Sequence, residues 1–442
     1  MSNKRGICFI IVCILFSGNI HAQDFGFGFG DEDTGNSSGV NKPLNVSING
    51  EVSASMTGYT GDFSKSLDNV ELGDIFSGKL KFSASTSFAE GIINMNLNPS
   101  SSPISLDEAY VRTYFGSFDI TAGLRKLTWG KADSFGPLDV INPLDYSGVF
   151  VEMADNVSLL GVKIARPLVH AAFRFGDFSK IEAVFVPWFQ PHQIPRTGKW
   201  AASEMEMLNL AESMDILNEP NTATLKYAQA GLRFTTTIGS ADIGAQYYFG
   251  RMPQPAAEFT LSPPKVDIFY NTYHQIGFDY AQVLFGFNIR AELAANITED
   301  LKGDDGSIYN PSIAWSLGFD RDLVWGIYLN LQVNESIRLM HDKTGSDNFM
   351  SADFDIEGGQ KLTATRLTAT VSKKFLRDEL ELRTAAAWGI EDYDCIIMPA
   401  LIWTKDEFRF AFSGGVFAGN SDGQIGQYRD NHFIKISCTY TF

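Results

Sequence analysis

The last nine residues constrain this chain more than any other segment. In Ile434-Lys435-Ile436-Ser437-Cys438-Thr439-Tyr440-Thr441-Phe442, apolar side chains stand at 434, 436, 438, 440 and 442, with polar ones between them. Successive side chains of a strand point to opposite faces, so this is a strand with one greasy and one wet face, closed by an aromatic. The same alternation recurs through the chain. Val46, Ile48, Gly50, Val52, Ala54 and Met56 oppose Asn45, Ser47, Asn49, Glu51, Ser53, Ser55 and Thr57. Phe118, Ile120, Ala122 and Leu124 oppose Asp119, Thr121, Gly123 and Arg125, and a run from Val283 to Ala295 alternates in the same way. Many of these runs reach the ~9–11 residues that a tilted membrane-crossing strand needs.

The other end of the chain reads as an address. Lys4 and Arg5 precede an apolar run from Ile7 to Phe16, and Ser17 to Ala22 turn more polar. That is the layout of a cleavable secretory signal over 1–22, cut after Ala22. Residues 23–43, with Phe25-Gly26-Phe27-Gly28-Phe29-Gly30, read as a flexible periplasmic leader, and 44–442 as the folded body. No later apolar run is long enough for a spanning helix, so any membrane crossing must be made by strands.

Composition narrows the function. Acidic residues outnumber basic ones by 52 to 35, for a net charge of −17, which makes nucleic acid an unfavourable partner. The acidity reads as solvated loops or as a negative vestibule favouring cations and neutral solutes. Beyond the leader only Cys395 and Cys438 remain. A disulfide between them is open, and two buried, inert thiols are the simpler reading. No Cys/His spacing suits a metal, so no cofactor is expected. His170, His192, His274, His341 and His432 stand in no catalytic motif, and the expectation is that the chain is not an enzyme.

Connections between the alternating runs supply a second test. Short links fall near Lys405 and at 376–378, 321–323, 280–282, 238–239, 176–178 and 116–117. Longer ones fall near 417–430, 336–359, 297–309, 251–265, 188–223 and 128–155, and the link at 390–392 is short out of turn. Short turns on one side and long loops on the other are the habit of membrane barrels. Residues 79–97 form one strand, or two with a break at Glu90-Gly91, so an even total gives 16 or 18, with 18 favoured. The expected fold is therefore all-β, a transmembrane antiparallel up-and-down barrel of 16–18 strands. One short helix falls in the 188–223 loop: Ser203 and Glu206 suit a capping box. Met207, Leu210, Ala211, Met214 and Leu217 form its apolar stripe.

Inward-facing polar residues are the candidate site. A turn at Gly116-Ser117 sets Glu108 opposite Arg125 on the polar face, a modest attraction. The lumen candidates are Glu108, Arg112, Arg125, Arg233, Arg290 and Glu292. The loop 128–155 either folds into the lumen or caps it. In the first case Trp129 and Pro143 stiffen it while Lys131, Asp133, Asp139 and Asp145 line a narrowing; in the second Trp129 belongs to the aromatic girdle.

The C-terminal strand ending in Phe442 resembles the closing signature of bacterial outer-membrane β-barrels, which implies recognition by the barrel-assembly machinery. A longer pattern runs Gly123-Leu124-Arg125-Lys126-Leu127-Thr128-Trp129-Gly130-Lys131-Ala132-Asp133, then Asp139-Val140-Ile141-Asn142-Pro143-Leu144-Asp145. It continues in Pro187-Trp188-Phe189, Pro195-Arg196, Tyr247-Tyr248-Phe249-Gly250 near Pro253, and Ile276-Gly277-Phe278 before Arg290-Ala291-Glu292. Together these resemble a family of porin-like outer-membrane proteins of unknown function, in the style of alginate-export and substrate-selective porins. The resemblance spans roughly residues 105–300 and the last strand. It implies residence in outer-membrane lipid and leaves the substrate open. The expected function is passive diffusion of small hydrophilic solutes. The alternatives are a surface adhesin whose long loops hold a ligand, or a channel for hydrophobic, fatty-acid-type substrates, which would need an apolar pocket.

Overall fold

The computed structural model describes residues 44–60, 75–99, 102–156, 159–341, 351–353 and 361–442. The expected signal and leader, 1–22 and 23–43, lie outside them. Eighteen strands form one continuous antiparallel sheet in which each pairs with its neighbours in the chain. The sheet closes on itself: the first strand, Asn45–Tyr59, pairs with the last, Phe433–Thr441, in a register that sets Ala54 opposite Cys438. Gly50 and Phe442 complete the seam by exchanging two backbone hydrogen bonds of 2.9 Å. A closed sheet leaves no unpaired edge, which is the condition for strands to cross hydrocarbon.

The connections sort by length. Links at 86–88, 116–117, 176–178, 239–240, 285–286, 323–326, 376–379 and 406–407 all lie at the end that also carries Asn45 and Phe442. The opposite end carries the long links 126–165, 187–228, 252–271, 299–311, 339–362 and 420–432. Two expected turns are displaced. The turn expected at 280–282 falls at Phe285-Gly286, because Thr272–Leu284 continues until Leu284 faces Phe287 and both turn residues adopt positive φ, 54° and 80°. The break expected at Glu90-Gly91 lies earlier, at residues 86–88. There the Thr86 hydroxyl accepts a hydrogen bond from the Ala89 N–H at 3.1 Å, and Gly91 pairs with Ala84 inside the strand Ala89–Asn98.

Burial is inverted relative to a soluble protein. Val46, Ile48, Val52, Met56, Val111, Phe173, Phe278, Phe412 and Ile436 are exposed on the outer face. Thr121, His170, Glu182, Gln246, Gln275, Asp320 and Gln332 are buried inside. Aromatic pairs at the short-turn end, Trp403 stacked on Phe410 at 5.5 Å and Phe408 tilted against Tyr440 at 4.9 Å, form part of an outer girdle. Cys395 and Cys438 are free and only half-buried.

The long-loop end has structure of its own. The 252–271 link contains a hairpin, Ala256–Leu261 with Pro264–Phe269, extended by Leu217–Asn218 and Ser351–Asp353. The helix Glu206–Ser213 packs on this hairpin through Leu208 and Ala211, with Met205 just ahead of it. The expected capping box does not form. Ser203 lies in a preceding 3-10 turn, where its N–H and hydroxyl both donate to Gln427 Oε1 at 2.8 and 3.1 Å. The apolar stripe is rotated accordingly, leaving Met207, Leu210 and Met214 exposed. A second helix, Val149–Asp155, lies within the 126–165 link.

Candidate functional site: a loop clamped across the lumen

The loop 126–165 leaves the strand Phe118–Arg125 and rejoins the barrel at Arg166. Asn142 ties its ends together, accepting from the Leu127 N–H at 2.7 Å and donating to the Arg125 and Ile164 carbonyls at 3.1 and 2.8 Å. Trp129 turns inward, not to the outer girdle, and is 2% exposed among Leu127, Ile141, Leu168, Val184, Tyr248 and Tyr273. Gly231 makes that seat: a Cβ there would meet the indole ring at 2.8 Å.

Beyond Trp129 the loop crosses the lumen, and polar side chains of four wall strands hold its backbone. Glu292 accepts from the N–H groups of Lys131, Ala132 (2.7 Å) and Leu138 (3.3 Å). Gln332 accepts from Asp133 and Ser134 at 3.0 and 3.2 Å and donates to the Phe135 carbonyl at 3.0 Å. Gln275 donates to the Pro137 carbonyl and Gln246 to that of Leu138, each at 2.9 Å. Arg290 pairs with Asp133, which also accepts from Asn330 at 2.8 Å. Gly130, at φ 93°, lets the Glu292 carboxylate approach, since a Cβ there would collide with Oε1.

The remaining candidate residues divide. Lys131 reaches toward Asp242 and Asp279, at 3.7 and 3.9 Å, while Arg233 bridges Gln246 and Asp279 at 2.6 Å each. Asp139 pairs with Lys163, which also donates to Thr128 at 2.7 Å; burial raises the Asp139 carboxyl above its ordinary pKa against the pull of that lysine. Asp145 does not line the narrowing, because its carboxylate accepts from the Ser147 N–H of its own turn at 2.9 Å. Glu108 and Arg125 occupy the expected register, continuing the Ala109 to Leu124 pairing, yet they form no ion pair. Glu108 binds the Lys126 N–H and the Asn94 amide at 2.8 and 2.9 Å, and Arg125 lies over the Tyr110 ring at 5.2 Å. Arg112 stays on the wall, donating to Thr121 at 3.2 Å beside Glu90 at 3.9 Å.

The helix Val149–Asp155 anchors the loop on the opposite wall. Its C-terminal carbonyls accept from Arg383 (Ala154 at 2.9 Å, Asp155 at 2.8 Å) and from Arg409 (Asp155 at 2.7 Å). The Asp155 carboxylate meets Lys435 at 2.8 Å and accepts from the Ser413 and Ser437 hydroxyls. Three cations at a helix C-terminus match its partial negative charge. Phe150 of this helix packs near Trp200, Phe417 and Tyr428, with ring centroids 5.2–5.7 Å away.

None of Gln246, Gln275, Gln332, Asn142, Asp155, Arg383, Arg409 and Lys435 stood out in the sequence. One signal was there. Asp394–Lys405 is apolar on both faces: Ile397, Leu401 and Trp403 face outward, while Ile396, Met398, Ala400 and Ile402 are buried inside. A lumen strand with an apolar inner face needs an apolar partner, here the inserted helix and the aromatic cluster around it.

Two cavities flank the clamped tip. One of about 280 Å³ lies toward the long-loop end, bordered by Arg166, His192, Tyr273, Gln275, Ser336 and Arg366. The other, about 450 Å³, extends toward the short-turn end past Ser134, Phe150, Thr370, Ser372 and Glu381. Phe135 and Arg366 border both.

A closed eighteen-stranded barrel with a loop drawn into its lumen is the architecture of porins. No family model matches this chain, and no curated protein matches its sequence. Among solved structures it is similar to Acinetobacter baumannii OccAB3, with a TM-score of 0.50 and 8% identity over 90% of this chain and 99% of that one. Pseudomonas aeruginosa OccK2 (OpdF) gives a TM-score of 0.50 and 8% identity over 90% of this chain and 97% of that one. At this identity the likeness is one of fold.

Proposed function

We propose that this chain resides in a bacterial outer membrane and lets small hydrophilic solutes diffuse through its lumen past the clamped loop. The observation that carries this is the pair of cavities flanking the loop tip, which share Phe135 and Arg366 as border residues. The clamp narrows the lumen with hydrogen bonds to backbone, so the constriction keeps its size as solutes pass. The polar groups around it are engaged in holding the loop, not in presenting a nucleophile and base to a reacting atom, which favours transport over catalysis. The helix Val149–Asp155 packs on part of the inner apolar wall, at Ile396 and Met398, which also border the larger cavity. Conductance of the refolded full-length protein in planar bilayers tests the proposal. Discrete channel steps are expected; their absence from protein shown to be folded by heat-modifiable gel mobility would refute it.

A further inference from the structure

The larger cavity joins an apolar side to a hydroxyl side. Its volume is about 450 Å³, and Phe135, Phe150 and Met153 border it from the inserted loop. Phe135 is the unusual member. Its backbone is fixed, because its carbonyl accepts from Gln332 at 3.0 Å. Yet its half-buried ring belongs to none of the hydrophobic clusters among the described residues, whereas Trp129 of the same loop is sunk in one. Phe150 packs on Phe417 and Trp200 but, like Met153, is only half-buried. Apolar surface facing water is unfavourable, and a ring-bearing solute removes it from water. A thioether beside an aromatic ring adds a favourable contact.

The barrel wall supplies the hydroxyl side. Tyr328, Thr370 and Ser372 border the cavity from two paired strands, Ile327–Arg338 and Thr363–Phe375, with Tyr328 opposite Ser372. Thr370 is in turn opposite Ala385, where the wall becomes apolar. Hydroxyl and aliphatic groups therefore stand one strand spacing apart, ~4.8 Å. The charged groups on the border are already engaged. Asp133 pairs with Arg290, Arg366 donates to Gln424, and Arg383 donates to the Ala154 and Asp155 carbonyls at 2.9 and 2.8 Å. Glu381 stands opposite Lys374 and on the same strand face as Arg383, so cations flank it. A mostly apolar pocket with a few placed polar groups is the usual form of a small-molecule site.

We infer that the larger cavity is a binding subsite for small, uncharged solutes that carry an aromatic ring and a hydroxyl group, with Phe135 and Phe150 meeting the ring and Thr370 the hydroxyl. The inference narrows the solutes of the channel reading and rests on that reading for its transport consequence, but not for binding.

The test uses the refolded full-length barrel and tyrosol, an uncharged phenol with a hydroxyethyl arm. Calorimetric titration should show saturable, one-to-one binding. Tyramine and 3-(4-hydroxyphenyl)propionate, of similar shape but charged, should bind about fivefold more weakly or worse, since neither charge finds a free partner. Phe135→Ala should weaken tyrosol about tenfold, the loss of an aromatic contact. Ala387, also on the border, offers a filling variant: Ala387→Phe should abolish binding. No saturation by tyrosol, equal binding by Phe135→Ala, or tighter binding of either charged probe would overturn the subsite. In planar bilayers tyrosol should interrupt the open current of the wild type. Uninterrupted channel steps without calorimetric binding would overturn the subsite and leave the channel reading intact. Binding to a folded barrel that gives no channel steps would uphold the subsite and remove that reading. Should Ala387→Phe fail to fold by gel mobility, Phe135→Ala and Thr370→Val carry the measurement.

Discussion

Glu292 on the barrel wall and Ala132 at the loop tip are joined by a hydrogen bond of 2.7 Å across 160 positions of sequence. The same carboxylate also binds the N–H groups of Lys131 and Leu138. One side chain thus fixes the depth at which the loop crosses the lumen. Charge-assisted bonds of this kind contribute ~1.5–3 kcal/mol each.

Replacing Glu292 with Ala removes three acceptor contacts at once. The barrel strands do not depend on them, so the variant should keep its heat-modifiable mobility. Its single-channel conductance should rise about twofold or more, with noisier openings. Unchanged conductance in a folded Glu292→Ala barrel would show that the tip is held by something else.

Asp155 should act as the second anchor. Burial pushes its carboxyl up, but Lys435 at 2.8 Å and the Ser413 and Ser437 hydroxyls pull it below its ordinary value of 3.8. A depressed carboxyl contributes stability that is fully present above the unfolded value. That stability is lost as the pH falls through the lower folded value. The helix should stay docked at neutral pH and loosen only in strong acid. Asp155→Asn should loosen it at every pH, seen as faster proteolysis within 149–155 in the folded barrel.

His192 gives a milder acid response. Its Nδ1 accepts from the Leu144 N–H at 2.8 Å, and burial lowers its pKa to about 3. The neutral ring is required for that bond. Stability is therefore complete above the ordinary value of 6.5 and is lost as the pH falls from there toward the folded value. The loss should reach about 2 kcal/mol near pH 5. Channel noise should rise over this window, and His192→Asn, which keeps an acceptor without titrating, should flatten the response.

Gly231→Val places a side chain against the Trp129 ring, where even a Cβ would lie only 2.8 Å away. The cost of overpacking is ~1–3 kcal/mol. Displaced indole should shift Trp fluorescence to the red while the barrel remains folded; an unshifted spectrum would place Trp129 elsewhere.

The barrel was legible because lipid outside and water inside impose a period of two on every strand. The Gly116-Ser117 turn alone fixed the register that sets Ala109 against Leu124. The path of the inserted loop was not legible. Its anchors, Gln246, Gln275, Glu292 and Gln332, lie on separate strands, and each looks like any wetted lumen residue until the strands are brought together. The helix Val149–Asp155 spans seven residues, too few for a helical period to show, and its N-cap Gly148 makes no side-chain capping bond. The rotated stripe of Glu206–Ser213 has a similar origin: contact with the hairpin, not hydrophobic spacing, chose which face was buried.

The most direct test of the clamped-loop channel is the single-channel conductance of the refolded wild type beside the Glu292→Ala, Asp155→Ala double variant. The account predicts small, steady openings for the wild type and severalfold larger ones when both anchors are removed. Equal conductance in the two, with both proteins folded, would contradict it.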